Sequence, residues 1–63
     1  MYQVYGDYGL ETECELYSHN SLTFVRRWLD GYTRWGDMGG YENLYLVDEQ
    51  GKLYQAVYAD NLA

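Results

Sequence analysis

The sequence predicts an α+β fold, a four-stranded antiparallel sheet in the order ββαββ with one helix packed on one face. Two observations lead there. Four short runs rich in branched and aromatic residues, two on each side of the middle of the chain, read as strands joined by tight turns. Between them Leu22, Val25, Leu29 and Tyr32 recur at helical spacing. Two hairpins and one helix bury a common core when the helix lies across one sheet face.

The first strand is "MYQVY", and "GDYG" turns the chain after it. "LETECELY" then alternates, with Leu10, Thr12, Cys14 and Leu16 on one side and Glu11, Glu13, Glu15 and Tyr17 on the other. A period of two predicts a half-buried strand over residues 10–17. Asn20 or Ser21 supplies the helix N-cap. The apolar stripe, widened by Trp28 and Trp35, carries the helix to about Arg34 despite Gly31. "NLYLV" and "KLYQAVY" are the last two strands, joined by "DEQG". Val4, Cys14, Leu16, Leu44 and Leu46 are expected to face the helix, and Tyr5 and Tyr45 to point away from it. The last strand has two usable faces, Leu53–Gln55–Val57 and Tyr54–Ala56–Tyr58, and the pairing order of the hairpins is open.

With 63 residues the chain forms one domain, 1–63, near the lower limit for folding without staples. Its single cysteine excludes an internal disulfide, and no cysteine–histidine spacing suits zinc. The core therefore rests on apolar packing, to which the nine tyrosines, two tryptophans and one phenylalanine contribute. No secretory start and no apolar run of membrane-spanning length is present, so a cytoplasmic setting without membrane contact is expected.

"RWGDMGGY", residues 34–41, resembles a phosphate-binding glycine loop only superficially. Such loops precede a helix, whose free amides then point at the anion. Here the glycines follow the helix, at the negative end of its dipole, with Asp37 among them. Gly36 is expected as the left-handed cap, with Gly39 and Gly40 turning the chain into the third strand. Cys14 and His19 are the only candidates for nucleophile or base, and no acid converges on them. No catalytic residue, metal site or cofactor is expected.

Charge is the strongest functional signal. Ten acids face four bases, for a net charge of −6. The bases Arg26, Arg27 and Arg34 fall in the middle segment, and the flanking segments together carry −8. Such a chain repels nucleic acid and is steered toward basic surfaces. On a strand, Glu11, Glu13 and Glu15 would stand about 6.6–6.8 Å apart in a line. That is close to every second phosphate of a DNA strand, at about 3.4 Å rise each. Asp7, Asp37, Glu42, Asp48 and Glu49 would extend this surface, with Tyr17 and Tyr45 as apolar anchors. These ten residues form the expected protein-binding set.

A short, acidic, proline-free sequence with "VYGDYG" near its start and "RWGDMGGY" after its helix resembles small phage and mobile-element proteins. It is similar in character to the anti-CRISPR inhibitors of type I systems that act by mimicking DNA. The resemblance implies a non-catalytic inhibitor, acting as a monomer or weak homodimer in the host cytoplasm. Its partner would be a basic nucleic-acid-binding protein or complex, such as a type I Cascade, with no direct contact to nucleic acid. The alternative is a small interaction module that dimerises through its tyrosine-bearing sheet face.

Overall fold

The structure, a computed structural model, describes residues 1–34 and 38–59. Strands β1 (Tyr2–Gly6) and β2 (Cys14–His19) precede helix α1 (Leu22–Thr33), and β3 (Asn43–Asp48) and β4 (Leu53–Tyr58) follow it. The strands form one antiparallel sheet in the order β2-β1-β3-β4. The expected α+β architecture is therefore present, and the two hairpins join through their first strands, β1 against β3.

The helix starts at Ser21, whose extended backbone makes it the N-cap. Its side chain makes no capping bond. Instead its own amide donates to His19 Nδ1 at 2.9 Å. The helix lies mainly over β1 and β2. Val25 and Leu29 on its inner stripe join Val4, Leu44 and Leu46 in a core from which water is excluded, closed at one end by Met38. Each such aliphatic side chain contributes about 1.5–3 kcal/mol through burial. Tyr41 closes the sheet end: its ring lies so near Gly6 that a Cβ there would stand 2.6 Å from it. Gly39 and Gly40 have φ of +64° and +86°, as the turn into β3 requires. The expected Gly36 cap, Asp37 and the Trp35 end of the stripe lie outside the described residues.

Two β-bulges decide which side chains face which way. Val4 pairs with Tyr17 and Tyr5 with Glu15, so Leu16 is the extra residue of β2. Leu46 pairs with Gln55 and Val47 with Leu53, so Tyr54 is the extra residue of β4. A bulge shifts the alternation: the neighbours Leu16 and Tyr17 both pack on the core, and so do Tyr54 and Val57, which lie three positions apart. The two candidate faces of the last strand are thus both split.

Three expectations from the alternation need correction. Strand β2 begins at Cys14, not Leu10, because residues 7–13 fold into two successive turns. Leu10 N–H donates to the Asp7 carbonyl, and Glu13 N–H to the Leu10 carbonyl. The Thr12 hydroxyl donates to the Asp7 carboxylate, and Tyr8 N–H to Asn43 Oδ1 at 2.9 Å. Such side-chain bonds compete with strand pairing, and here they win. Tyr17 leaves the glutamate side and stacks on Trp28 beneath the helix, with centroids 4.9 Å apart. Cys14, expected in the core, is exposed, with its thiol donating to the Glu15 carbonyl.

Candidate functional site

The sheet face away from the helix is paved with tyrosine. Register carries one row straight across it: Glu15 opposite Tyr5, Tyr5 opposite Tyr45, and Tyr45 opposite Ala56. Tyr8, from the turn after β1, folds back over this row. Its ring centroid lies 5.4 Å from that of Tyr5 and 5.4 Å from that of Tyr45. Tyr45 in turn meets Tyr58 edge-on at 5.8 Å, and their hydroxyls are hydrogen-bonded at 2.7 Å. Four rings thus form a continuous band from the β1–β2 turn to the end of β4. Tilted and edge-on pairs of this kind hold aromatic side chains in fixed positions on an open face.

Carboxylates border the band. Glu13 and Glu15 flank Tyr5; burial first, then Glu15 and Glu13, push its hydroxyl above the ordinary 10.0, because negative neighbours oppose a phenolate. Beside Tyr8 lies an open trough of about 400 Å³. Tyr5, Tyr8, Glu13, Val47, Asp48 and Glu49 are among the residues that line it, and none of its lining residues is a lysine or arginine. Arg26 and Arg27 line a groove on the opposite, helix-bearing side, with Thr23, Asp30 and Gln55. The trough is thus free of arginine and lysine, while Arg26, Arg27 and Arg34 sit exposed on the helix layer, with Asp30 among them.

The ten residues expected to bind a partner divide by what the fold asks of them. Asp7 is buried and serves the scaffold: it accepts the Thr12 hydroxyl and, at 2.6 Å, the Glu42 amide. These bonds, with one from the Asn43 amide, hold its carboxyl below the ordinary 3.8 against the opposing effect of burial. Its φ of +55° places it in the left-handed region, which aspartate tolerates better than most residues. Asp48 organises the β3–β4 hairpin by accepting from Lys52 N, Gln50 N and the Tyr54 hydroxyl. Those partners likewise lower its carboxyl from 3.8, with the Lys52 amide the largest cause.

Glu11, Glu13, Glu15, Glu42 and Glu49 are exposed. Glu11 occupies a turn, so the expected straight line of three glutamates is broken, and Glu13 and Glu15 remain together beside Tyr5. Glu13 also accepts the Gly9 amide at 2.8 Å, and Glu49 pairs with the Met1 ammonium at 2.6 Å. Tyr45 lies on the open face as expected, and Tyr17 does not. Asp37 is outside the described residues.

Tyr8, Tyr58 and Val47 belong to this face without having been expected there. Tyr8 stands in a turn, where no periodicity assigns a direction. Val47 shares Tyr45's side by simple alternation but was not singled out, whereas Tyr58 needed the register of β3 against β4, which the bulge at Tyr54 sets.

Cys14 opens β2 and His19 ends it, about 16 Å apart at roughly 3.3 Å per residue. His19 accepts the Ser21 amide and meets Phe24 edge-on. The two therefore do not converge on one point. Among the described residues no group of three or more His, Cys, Asp and Glu side chains is placed to hold a metal ion. No described helix is long and apolar enough to cross a membrane. No protein-family model, curated protein or solved structure matches this chain.

Proposed function

We propose that this chain is a non-catalytic binding protein that docks its open sheet face on a basic, nucleic-acid-binding surface of another protein, displacing nucleic acid as the DNA-mimicking anti-CRISPR inhibitors do. The observation that carries this reading is the placement of charge. Glu13, Glu15 and Glu49 border a band of four tyrosines, while Arg26 and Arg27 line a groove on the other side of the sheet. Tyrosine supplies rigid contact area to protein interfaces, and carboxylates supply charge-assisted bonds to arginine and lysine. The mimicry rests on a bordered patch rather than a straight row of glutamates. Asp7 and Asp48 take no direct part, because their oxygens are engaged within the fold.

An isologous dimer through the same face is the weaker reading. A two-fold axis would bring the acidic border of one copy near that of the other, where like charges repel.

The test is displacement of DNA from a type I Cascade-like complex, followed by mobility shift. Added protein is expected to release the DNA, with an apparent affinity that falls as salt rises. The combined change Glu13→Gln, Glu15→Gln and Glu49→Gln should weaken release at least about tenfold, equivalent to about 1.4 kcal/mol. DNA that stays bound under a saturating excess of protein at low salt overturns the proposal.

A further inference from the structure

We infer that the trough beside Tyr8 is an anchor slot for a single arginine side chain of the partner protein. The inference rests on the reading that this face meets a basic protein surface, and it adds which group of that surface is held and where. Tyr8 decides the shape. Its amide is fixed by Asn43 Oδ1, and its hydroxyl reaches the β3–β4 hairpin, 4.0 Å from where a Cβ on Gly51 would stand. The ring therefore spans from the β1–β2 turn to the other hairpin and walls off one side of the trough. Val47 is only 2% exposed although it sits on the face away from the helix, in register between Gln3 and Leu53.

The chemistry matches one side chain best. Arginine has an apolar stem that needs greasy or aromatic walls, which Tyr5 and Tyr8 supply, with Val47 sealed at the floor. Its planar guanidinium stacks on aromatic faces and pairs with carboxylates through several donors. Glu13 and Glu49 stand at the lining with those carboxylates, and the Gly9 amide holds Glu13 in place. Glu49 is already paired with the Met1 ammonium, in an exposed pair that a stronger guanidinium contact displaces at little cost. A lysine would satisfy the charge without the planar stacking. A nucleotide would bring phosphate to a wall of glutamates.

Titration of the isotope-labelled protein with a short blocked Gly–Arg peptide, and separately with its Gly–Lys counterpart, tests the slot by NMR. The Gly–Arg peptide is expected to shift the amides of Tyr8, Gly9, Val47, Glu49 and Gly51 first, and to bind more tightly than Gly–Lys. Tyr8→Leu keeps apolar bulk but removes the aromatic face, and should weaken Gly–Arg binding about 3- to 30-fold. Tyr8→Phe keeps the face and should bind nearly as the parent does. Glu13→Gln keeps an oxygen for the Gly9 amide, loses the charge, and should also weaken binding. Equal shifts from both peptides spread over Glu11, Glu15 and Glu42 would overturn the slot, as would binding indifferent to Tyr8→Leu and Glu13→Gln. The DNA-displacement assay is independent. Displacement without a specific arginine response leaves the proposed function and removes the slot, and an arginine response without displacement does the reverse.

Discussion

Replacing Tyr17 with glutamate separates two descriptions of strand β2. Under strict alternation Tyr17 lies on the solvated side with Glu11, Glu13 and Glu15, and a fourth glutamate there costs little. In the bulged strand the ring packs on the core and stacks on Trp28 at 4.9 Å with 5° between planes. An enclosed aromatic hides roughly 150–250 Å². Tyr17 is half-buried, so about half of that area at roughly 25 cal/mol per Å² gives about 2–3 kcal/mol. The stack adds about 0.5–1.5 kcal/mol. The loss is thus about 2.5–4.5 kcal/mol before any cost of placing a carboxylate beneath the helix. At roughly 0.05–0.15 kcal/mol per residue, a 63-residue chain has about 3–9 kcal/mol in total. Thermal melting followed by circular dichroism should show Tyr17→Glu unfolded, or melting at least about 10 °C lower, at 4–8 °C per kcal/mol. Tyr17→Phe keeps the ring and should melt close to the parent. A Tyr17→Glu protein melting within about 5 °C of the parent would refute the bulge and return Tyr17 to the acidic side.

Other consequences follow from the same geometry. Gly31 sits inside the helix with nothing within 4 Å of where a Cβ would be, so Gly31→Ala should stabilise by about 1 kcal/mol. The melting temperature should rise by about 4–8 °C, and DNA displacement should be unchanged because Gly31 is on the helix layer. Asp7 and Asp48 both have folded-state pKa values held below the ordinary 3.8, so their contribution is complete at neutral pH. It is lost as pH falls below 3.8 through the folded values. Urea midpoints measured down that range should fall for the parent, and the fall should be shallower for Asp7→Asn and Asp48→Asn, which start less stable.

Function and stability compete for the same carboxylates. Asp7 closes the loop that positions Tyr8 by accepting from Thr12 and Glu42, and that loop carries Glu13 to the side of Tyr5. An acid spent on the scaffold is what orders the acids that border the band. Among the described residues no buried side-chain nitrogen or oxygen lacks a hydrogen-bond partner, so the loop's polar groups are accounted for without the solvent-facing glutamates.

How far the chain could be read without coordinates depended on the range of the forces involved. Element order, the helix with its Val25 and Leu29 stripe, a helix start at Asn20 or Ser21 and the Gly39–Gly40 turn follow from local preferences, each spanning a few residues. So does the placement of Tyr5 and Tyr45 on one side of the sheet, since both lie within regular stretches of strand. Charge sign was legible as well, being a property of composition. Only the folded chain decided that β1 would pair with β3, that bulges would turn Tyr17 inward and split β4, and that Asp7 would become a buried staple. Each of these turns on a partner distant in sequence, Asn43 for Tyr8 and Glu42 for Asp7 among them. Long-range hydrogen bonds and core packing overruled a local alternation that, on its own, carried glutamates and Tyr17 along one face.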